Sequence, residues 1–246
     1  MERVEYERLA ALDRRLWWFH GLHAQIIGAL ARRGSPGRGR VLDAGCGTGG
    51  LLARLAERFP RLPLFGVEFD AGAAAVARDA SGSAIAIGSV NALPFAGGSF
   101  TAILSADVLC HRGVDEAAAL GQFHRCLAPG GLLVLSLPAY RWLLSEHDAA
   151  VANVERYTAS GVRRRLAAAG FTAIRTSYWN TLLFPLMVIR RKLGKRSAGR
   201  PESDVALLPA PLETLFRILV QGEAMIAGLG IRLPFGGSVL ATAVKP

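Results

Sequence analysis

The chain of 246 residues has only three cysteines, Cys46, Cys110 and Cys126. So few, scattered and odd in number, they support neither a disulfide framework nor a zinc knuckle, and they fit a reducing, cytoplasmic setting. The five histidines lack zinc-like spacing and have no carboxylate cluster beside them, so no metal is implied. Long apolar runs are also missing. The longest uncharged stretch, Ala80 to Ala106, is interrupted by Gly, Ser, Asn and Pro and cannot be one membrane-spanning helix. The first twenty residues, MERVEYERLAALDRRLWWFH, mix both signs of charge without a continuous apolar core, so export is not expected. No internal repeat is visible.

Acidic residues are scarce in one region only. The net charge is +10, yet residues 1–150 hold 15 bases and 14 acids, whereas 151–246 hold 14 and 5. Between Arg156 and Arg200 there are 11 bases and no acid. Such a stretch either attracts an anionic partner (phospholipid surface, phosphorylated substrate or nucleic acid) or is a solvated face. Apolar residues make up 51% of the chain, enough for a core and too many for disorder.

Patterning sets the fold class. Residues 4 to 33 read as a helix, with Leu9, Leu12, Leu16, Phe19, His23, Ile26, Ile27 and Leu30 at three- and four-residue steps. A basic Gly/Pro turn follows. Short apolar runs at 40–44, 64–68, 84–88, 100–106 and 131–137 then alternate with helical patterns at 51–58, 71–80 and 117–126. Strands alternating with helices predict a parallel sheet covered on both faces. Beyond a polar connection at 141–155, a basic helix is expected at 159–169, a strand at 171–178, a helix from Pro211 and a last strand at 238–244. The Pro211 helix carries Leu212, Leu215, Phe216, Leu219 and Ile226 along one stripe.

The segment VLDAGCGTGG, residues 41–50, leaves a strand and opens a helix, where glycines let the backbone turn sharply and approach a ligand. Gly45, Gly47 and Gly50 match G-x-G-x-x-G, and Glu68 lies where an acid could hold ribose hydroxyls, so a dinucleotide site is open on this match alone. Asp43 weighs against a pyrophosphate, which it would repel, and suits a cationic, amine-bearing cofactor.

With these residues goes a resemblance. VLDAGCGTGG, GVEFD (66–70), GSVNALPFAGGSFTAILSADVLCH (88–111) and HRCLAPGGLLVLSLP (124–138) resemble, in order and spacing, the class I S-adenosylmethionine-dependent methyltransferases, especially the methyltransferase type 11 group. The match covers about residues 40–140. It implies an α/β, Rossmann-like, seven-stranded, mostly parallel sheet with helices on both faces and an antiparallel last strand. Around it stand a helical cap (1–39), a cofactor-binding core (40–178) and a C-terminal helical insertion with the final strand (179–246).

The resemblance also implies that S-adenosyl-L-methionine is the cofactor. Asp43, Gly45 and Gly47 are then expected at its amino-acid part, Glu68 at the ribose, Ser89 and Val90 at the adenine and Ser105 at the methionyl end, with Phe69 also among the cofactor-binding residues. Ser89 stands where many relatives have Asp, and Cys110 where relatives often carry Glu before His111. Trp17, Trp18 and Phe19 either lie over the cofactor or anchor their helix to the core.

Methyl transfer needs a dry, aligned pocket, and a hydroxyl acceptor needs a base. His111 is one candidate. His147 with Asp148 is another, in a segment (145–158) that resembles a family motif but has Ala152 and Glu155 in place of His and Arg. The expected acceptor is a small or lipid-linked molecule, methylated at oxygen; the alternatives are RNA, or binding of the cofactor without catalysis. In 176–200, an apolar stretch containing Trp179 abuts Arg190, Arg191, Lys192, Lys195 and Arg196. There, either peripheral contact with an anionic inner membrane face or packing against the sheet is expected.

Overall fold

The computed structural model describes residues 10–13, 15–32, 39–145, 148, 152–193 and 207–246. Seven strands form one sheet: β1 (Val41–Ala44), β2 (Leu64–Glu68), β3 (Ala84–Ile87), β4 (Phe100–Ala106), β5 (Leu127–Pro138), β6 (Thr172–Trp179) and β7 (Ser238–Val244). Their order is β3-β2-β1-β4-β5-β7-β6, parallel throughout except for β7, which runs antiparallel to both neighbours. The chain steps outward from β1 to β3 and then returns to the far side of β1 to lay down β4. This reversal opens a crevice at the carboxyl ends of β1 and β4, the place where open α/β sheets bind ligands.

The helices are α1 (Trp17–Ala31), α2 (Gly50–Arg58), α3 (Ala71–Ser81), α4 (Glu116–Cys126), α5 (Ala159–Ala168), α6 (Phe184–Leu193) and α7 (Ala210–Gly228). Several begin at side-chain caps that satisfy free amide groups. Asp70 accepts from Gly72 and Ala73 N at 2.7 and 3.1 Å, Asp115 from Ala118 N at 3.0 Å, and Thr158 from Gly161 N at 3.1 Å. One sheet face packs on Leu120 and Phe123 of α4 and Val162 and Leu166 of α5. The other packs on Ile26 and Leu30 of α1, Leu52 and Leu55 of α2, and Trp179.

Elements inside the motif run follow the sequence pattern closely. Differences arise elsewhere. The N-terminal helical pattern breaks at Leu16, whose backbone is extended, so α1 starts only at Trp17. Segment 176–189, read as one apolar stretch, divides into the end of β6 and the start of α6. Pro185 is compatible with that helix because it lies in the first turn, where a missing N–H breaks no bond. The α7 stripe also divides. Phe216 and Leu219 are half-buried, whereas Leu212, Leu215 and Ile226 face solvent, because α1 meets α7 through Gly21 and Val220. Glu223, buried on α7, accepts from Thr181 N at 3.1 Å and Leu182 N at 2.6 Å, tying the β6–α6 turn to this helix. No helix among the described residues is long and apolar enough to cross a membrane.

A Cβ at Gly21 would lie 2.8 Å from the Val220 Cβ. Gly21→Ala is therefore expected to push α1 and α7 apart and to cost about 1–3 kcal/mol, although alanine favours helix. Thermal unfolding checks this, and an unchanged or raised midpoint refutes the close approach.

Candidate active site

The crevice is built from the β1–α2 loop. Gly45 N and Cys46 N both donate to Val67 O, at 2.9 and 3.0 Å, which fastens the loop to the end of β2. Gly45 has φ +83° and a Cβ there would collide with Val108 of the β4 end, so packing requires this glycine. Gly47 has φ +53°, and a Cβ there would meet nothing within 4 Å. Its missing side chain leaves open room over the loop, which is what a bound ligand needs.

Three carboxylates surround this loop. Asp43 is the last but one residue of β1 and 2% exposed. Burial first, then the charges of Glu68 and Asp13, push its pKa up to about 8. Glu68 ends β2, where Oε2 accepts from Gly47 N at 2.9 Å and Oε1 from Asp70 N at 3.1 Å. A carboxylate has about four acceptor directions, so two remain for a pair of ribose hydroxyls. Asp13, from the helical residues 10–13, rests its carboxylate against Gly50 at the start of α2 and lies 3.8 Å from His23 Nδ1. Burial, then Arg54 and His20, push the His23 pKa down to about 3, so its ring is neutral. The loop thus concentrates negative charge, and the residues present fit a cationic ligand with a ribose.

The remaining expected contacts differ in placement. Phe69 follows Glu68 and is 78% exposed, an open ring next in sequence to that carboxylate. Ser89 Oγ accepts from Asn91 N at 3.2 Å, and Val90 is buried in the core, so this turn offers a heterocycle its backbone and edge rather than a carboxylate. Ser105 is 1% exposed and its hydroxyl donates to Ala44 O at 2.8 Å. It locks β4 to β1 beneath the crevice instead of lining it. Trp17 meets Phe216 of α7 edge-on at 5.4 Å, and Trp18 meets Trp179 at 6.0 Å, contacts that anchor α1.

The proton-accepting candidates separate clearly. His147 lies outside the described residues. Asp148 is 1% exposed and accepts from Arg156 Nη2 at 2.7 Å and Nε at 3.0 Å, and from Ser145 N and Oγ at 2.9 and 3.0 Å. Burial opposes its charge, but Arg156, with Arg191 and Ser145, outweighs that and holds its pKa below the usual value. A carboxylate so held is a poor base and a good anchor. His111 stays half-buried with its pKa lowered by burial, against hydrogen bonding to the Asp107 main chain and the charge of Glu68. Among the described residues no group of three or more His, Cys, Asp or Glu is placed to hold a metal ion.

Sequence reasoning passed over Asp13 and Asp107. Asp107 has φ +53°, rare for a residue with a side chain, and its Oδ1 is buried without a hydrogen-bond partner among the described residues. Burial, against Arg156 and with Asp148, pushes its pKa up to about 7. The signal available was an acid at a strand end four residues before a histidine. Across the same edge of the sheet, Tyr140 stacks on Tyr178 at 5.2 Å, with Trp142, Phe184 and Phe235 completing an aromatic wall.

Comparison with known proteins agrees with this arrangement. Residues 42–135 match the family described as Methyltransferase domain. A malonyl-[acyl-carrier protein] O-methyltransferase of Geobacter sulfurreducens is 29% identical over 187 residues, covering 70% of this chain and 67% of that protein. A ubiquinone/menaquinone biosynthesis C-methyltransferase of Desulfotalea psychrophila is 35% identical over 109 residues, 43% of this chain and 44% of its own length. The chain therefore spans about two thirds of one relative and less than half of the other. A solved S-adenosylmethionine-dependent methyltransferase from Thermotoga maritima shares the fold with a TM-score of 0.62 at 18% identity, covering 98% of this chain and 95% of that one. The chain thus carries a methyltransferase domain at 42–135, set in the fold of the S-adenosylmethionine-dependent methyltransferases.

At pH 7 the unbound protein holds a proton on Asp43, and a cationic cofactor favours the ionised form. Binding of S-adenosylmethionine is thus expected to release about one proton. Calorimetry in two buffers of different ionisation enthalpy measures the release, and Asp43→Asn should abolish it. A wild-type enthalpy independent of buffer contradicts the assignment.

Proposed function

We propose that this methyltransferase passes the methyl group to an oxygen of a small-molecule or lipid-linked acceptor whose apolar body rests on the aromatic wall. The observation that carries the reading is the set Tyr140, Tyr178, Trp142, Phe184 and Phe235, gathered at the carboxyl-terminal edge of the sheet on which the crevice also opens. Aromatic faces exclude water and hold flat or chain-like apolar groups without specifying one. Both relatives named above act, by their names, on carrier-bound or quinone-type acceptors, which is compatible with such a wall. We place the protein in the cytoplasm, at the inner membrane face when the acceptor is lipid-linked.

The cofactor supplies an electrophilic methyl on a sulfonium. The chain's own residues do the rest. Asp43, Gly47 and Glu68 hold the amino-acid and ribose parts, Phe69 covers the adenine side, and the aromatic wall keeps water out. His111, kept neutral by its lowered pKa, accepts the acceptor's proton as the new bond forms. Asp148 and Arg156 take no part in the proton transfer. They brace the strand end, where Arg156 Nη1 also donates to Ala139 O at 3.0 Å, one residue before Tyr140.

Extracts incubated with methyl-labelled cofactor should place label in an organic-extractable product. Label confined to RNA or protein, or no turnover above that of a Glu68→Ala variant, contradicts the proposal. With an acceptor in hand, His111→Ala should lower kcat at least tenfold while cofactor affinity stays within twofold, and the deficit should shrink as rising pH ionises the acceptor directly. In the wild type kcat should rise with pH to a plateau, with a midpoint below the ordinary histidine value, because the neutral ring is the active form. An equal rate for His111→Ala at all pH values rules it out as the base.

A further inference from the structure

A second concavity lies away from the crevice. It is a groove of about 700 Å³ against β5, β7 and β6, bounded by the carboxyl ends of α1 and α7. Three arginines line it: Arg32 just beyond α1, Arg175 on β6 and Arg232 beyond α7. Among the described residues none of the three has a carboxylate partner, and no acid lines the groove. Arg32 is held below its ordinary pKa by burial and by the charge of Arg175, so the guanidinium groups feel one another. Like charges gathered without a counter-ion favour whatever anion can enter.

The end of α7, which bounds this groove, also carries exposed apolar side chains. On the last turn of α7 and just beyond it, Met225, Leu229 and Ile231 are 74%, 80% and 52% exposed, and Ile231 also lines the groove. Exposed apolar side chains next to unpaired arginines are the pairing that suits a lipid–water interface, with the chains entering the headgroup layer and the guanidinium groups meeting phosphates. In the segment first expected to make such a contact, residues 194–200 lie outside the described residues, and two of the others are engaged within the fold. Trp179 is 1% exposed and donates to Ser136 Oγ at 3.3 Å, and Arg191 is engaged with Leu143 O and Asp148. A second copy of the chain does not fit the groove as well, since its own net charge is +10.

We propose that this arginine groove, together with the exposed Met225, Leu229 and Ile231 at the end of α7, is a docking surface for an anionic phospholipid bilayer. It does not depend on the identity of the methyl acceptor. The test is co-sedimentation of the full chain with phosphatidylcholine vesicles, with and without phosphatidylglycerol. Binding is expected only to the anionic vesicles. Taking about 1 kcal/mol for each base at the surface, or about fivefold, the triple variant R32Q/R175Q/R232Q should bind on the order of a hundredfold more weakly. A control of equal charge change, R61Q/R112Q/R164Q, should lose less than tenfold. Met225→Ser with Leu229→Ser, on exposed positions that do not threaten folding, should weaken binding to the same vesicles by at least tenfold. Equal losses in the two arginine triples, or no loss in the serine variant, overturn the proposal. So does displacement from vesicles by millimolar inorganic phosphate at constant ionic strength, which would mark the groove as a site for a soluble anion.

Discussion

A buried carboxylate with no cation paired to it among the described residues organises this molecule. Asp43 is the last but one residue of β1, an interior strand of the seven-stranded sheet, with Glu68 and Asp13 close enough to raise its pKa further. Three acids around one loop are mutually unfavourable, and burial sharpens the repulsion. The arrangement is tolerable because the proton on Asp43 relieves it in the unbound protein, and because main-chain amides of Gly47 and Asp70 satisfy Glu68. A ligand carrying a sulfonium and an ammonium group replaces that proton with charge that belongs there.

The acceptor side depends on a second charge system of opposite design. Here the acid is fully paired: Arg156 bridges Asp148 and Ala139 O, and Tyr157 donates to Leu109 O at 3.0 Å from a site 1% exposed. These two neighbours stitch the ends of β4 and β5 to the segment that crosses above them. Removing one member of such a buried pair leaves the other charge stranded, at a cost typically of about 3–5 kcal/mol, so this network acts on geometry rather than on protons. It sets the position of Tyr140, and Asp107 with its positive φ lies in the same field. Erosion of the surrounding motif at Ala152 and Glu155 leaves this bridge intact, since neither residue belongs to it.

What could be read from sequence, and what could not, divides along the range of the interactions. Strands, glycine loop and caps depend on neighbours within a few residues, so the pattern around VLDAGCGTGG, Glu68 and Asp70 located the crevice. Ser105 was assigned to the methionyl end because it stands at the right strand terminus, but its hydroxyl points sideways to Ala44 O, a direction no periodicity reveals. Asp13 was one acid among several in a helical pattern until the fold brought it to Gly50. Asp148 beside a histidine suggested a base, and only the return of the chain eight residues later supplied Arg156. The exposed half of α7 was hidden for a related reason, since the closest contact, through Gly21, decides which side of an amphipathic helix is buried.

The distribution of charge completes the picture. The acidic loop lies at the amino end of α1, near Asp13, and the arginine groove lies at its carboxyl end, beyond Ala29 and Arg32. Asp13 meets α1 at His23, nine residues before Arg32, which is about 13 Å of helix. That exceeds the Debye length of about 8 Å at physiological ionic strength, so the arginines scarcely raise the potential at the loop. A strongly basic protein can therefore keep a site that favours a cationic ligand. Had the same bases gathered at the mouth of the crevice, they would have opposed the cofactor and partly neutralised Asp43 and Glu68. The excess of bases after residue 150 is compatible with the acid-lined loop because α1 and α7 run the same way and hold the two kinds of charge at opposite ends.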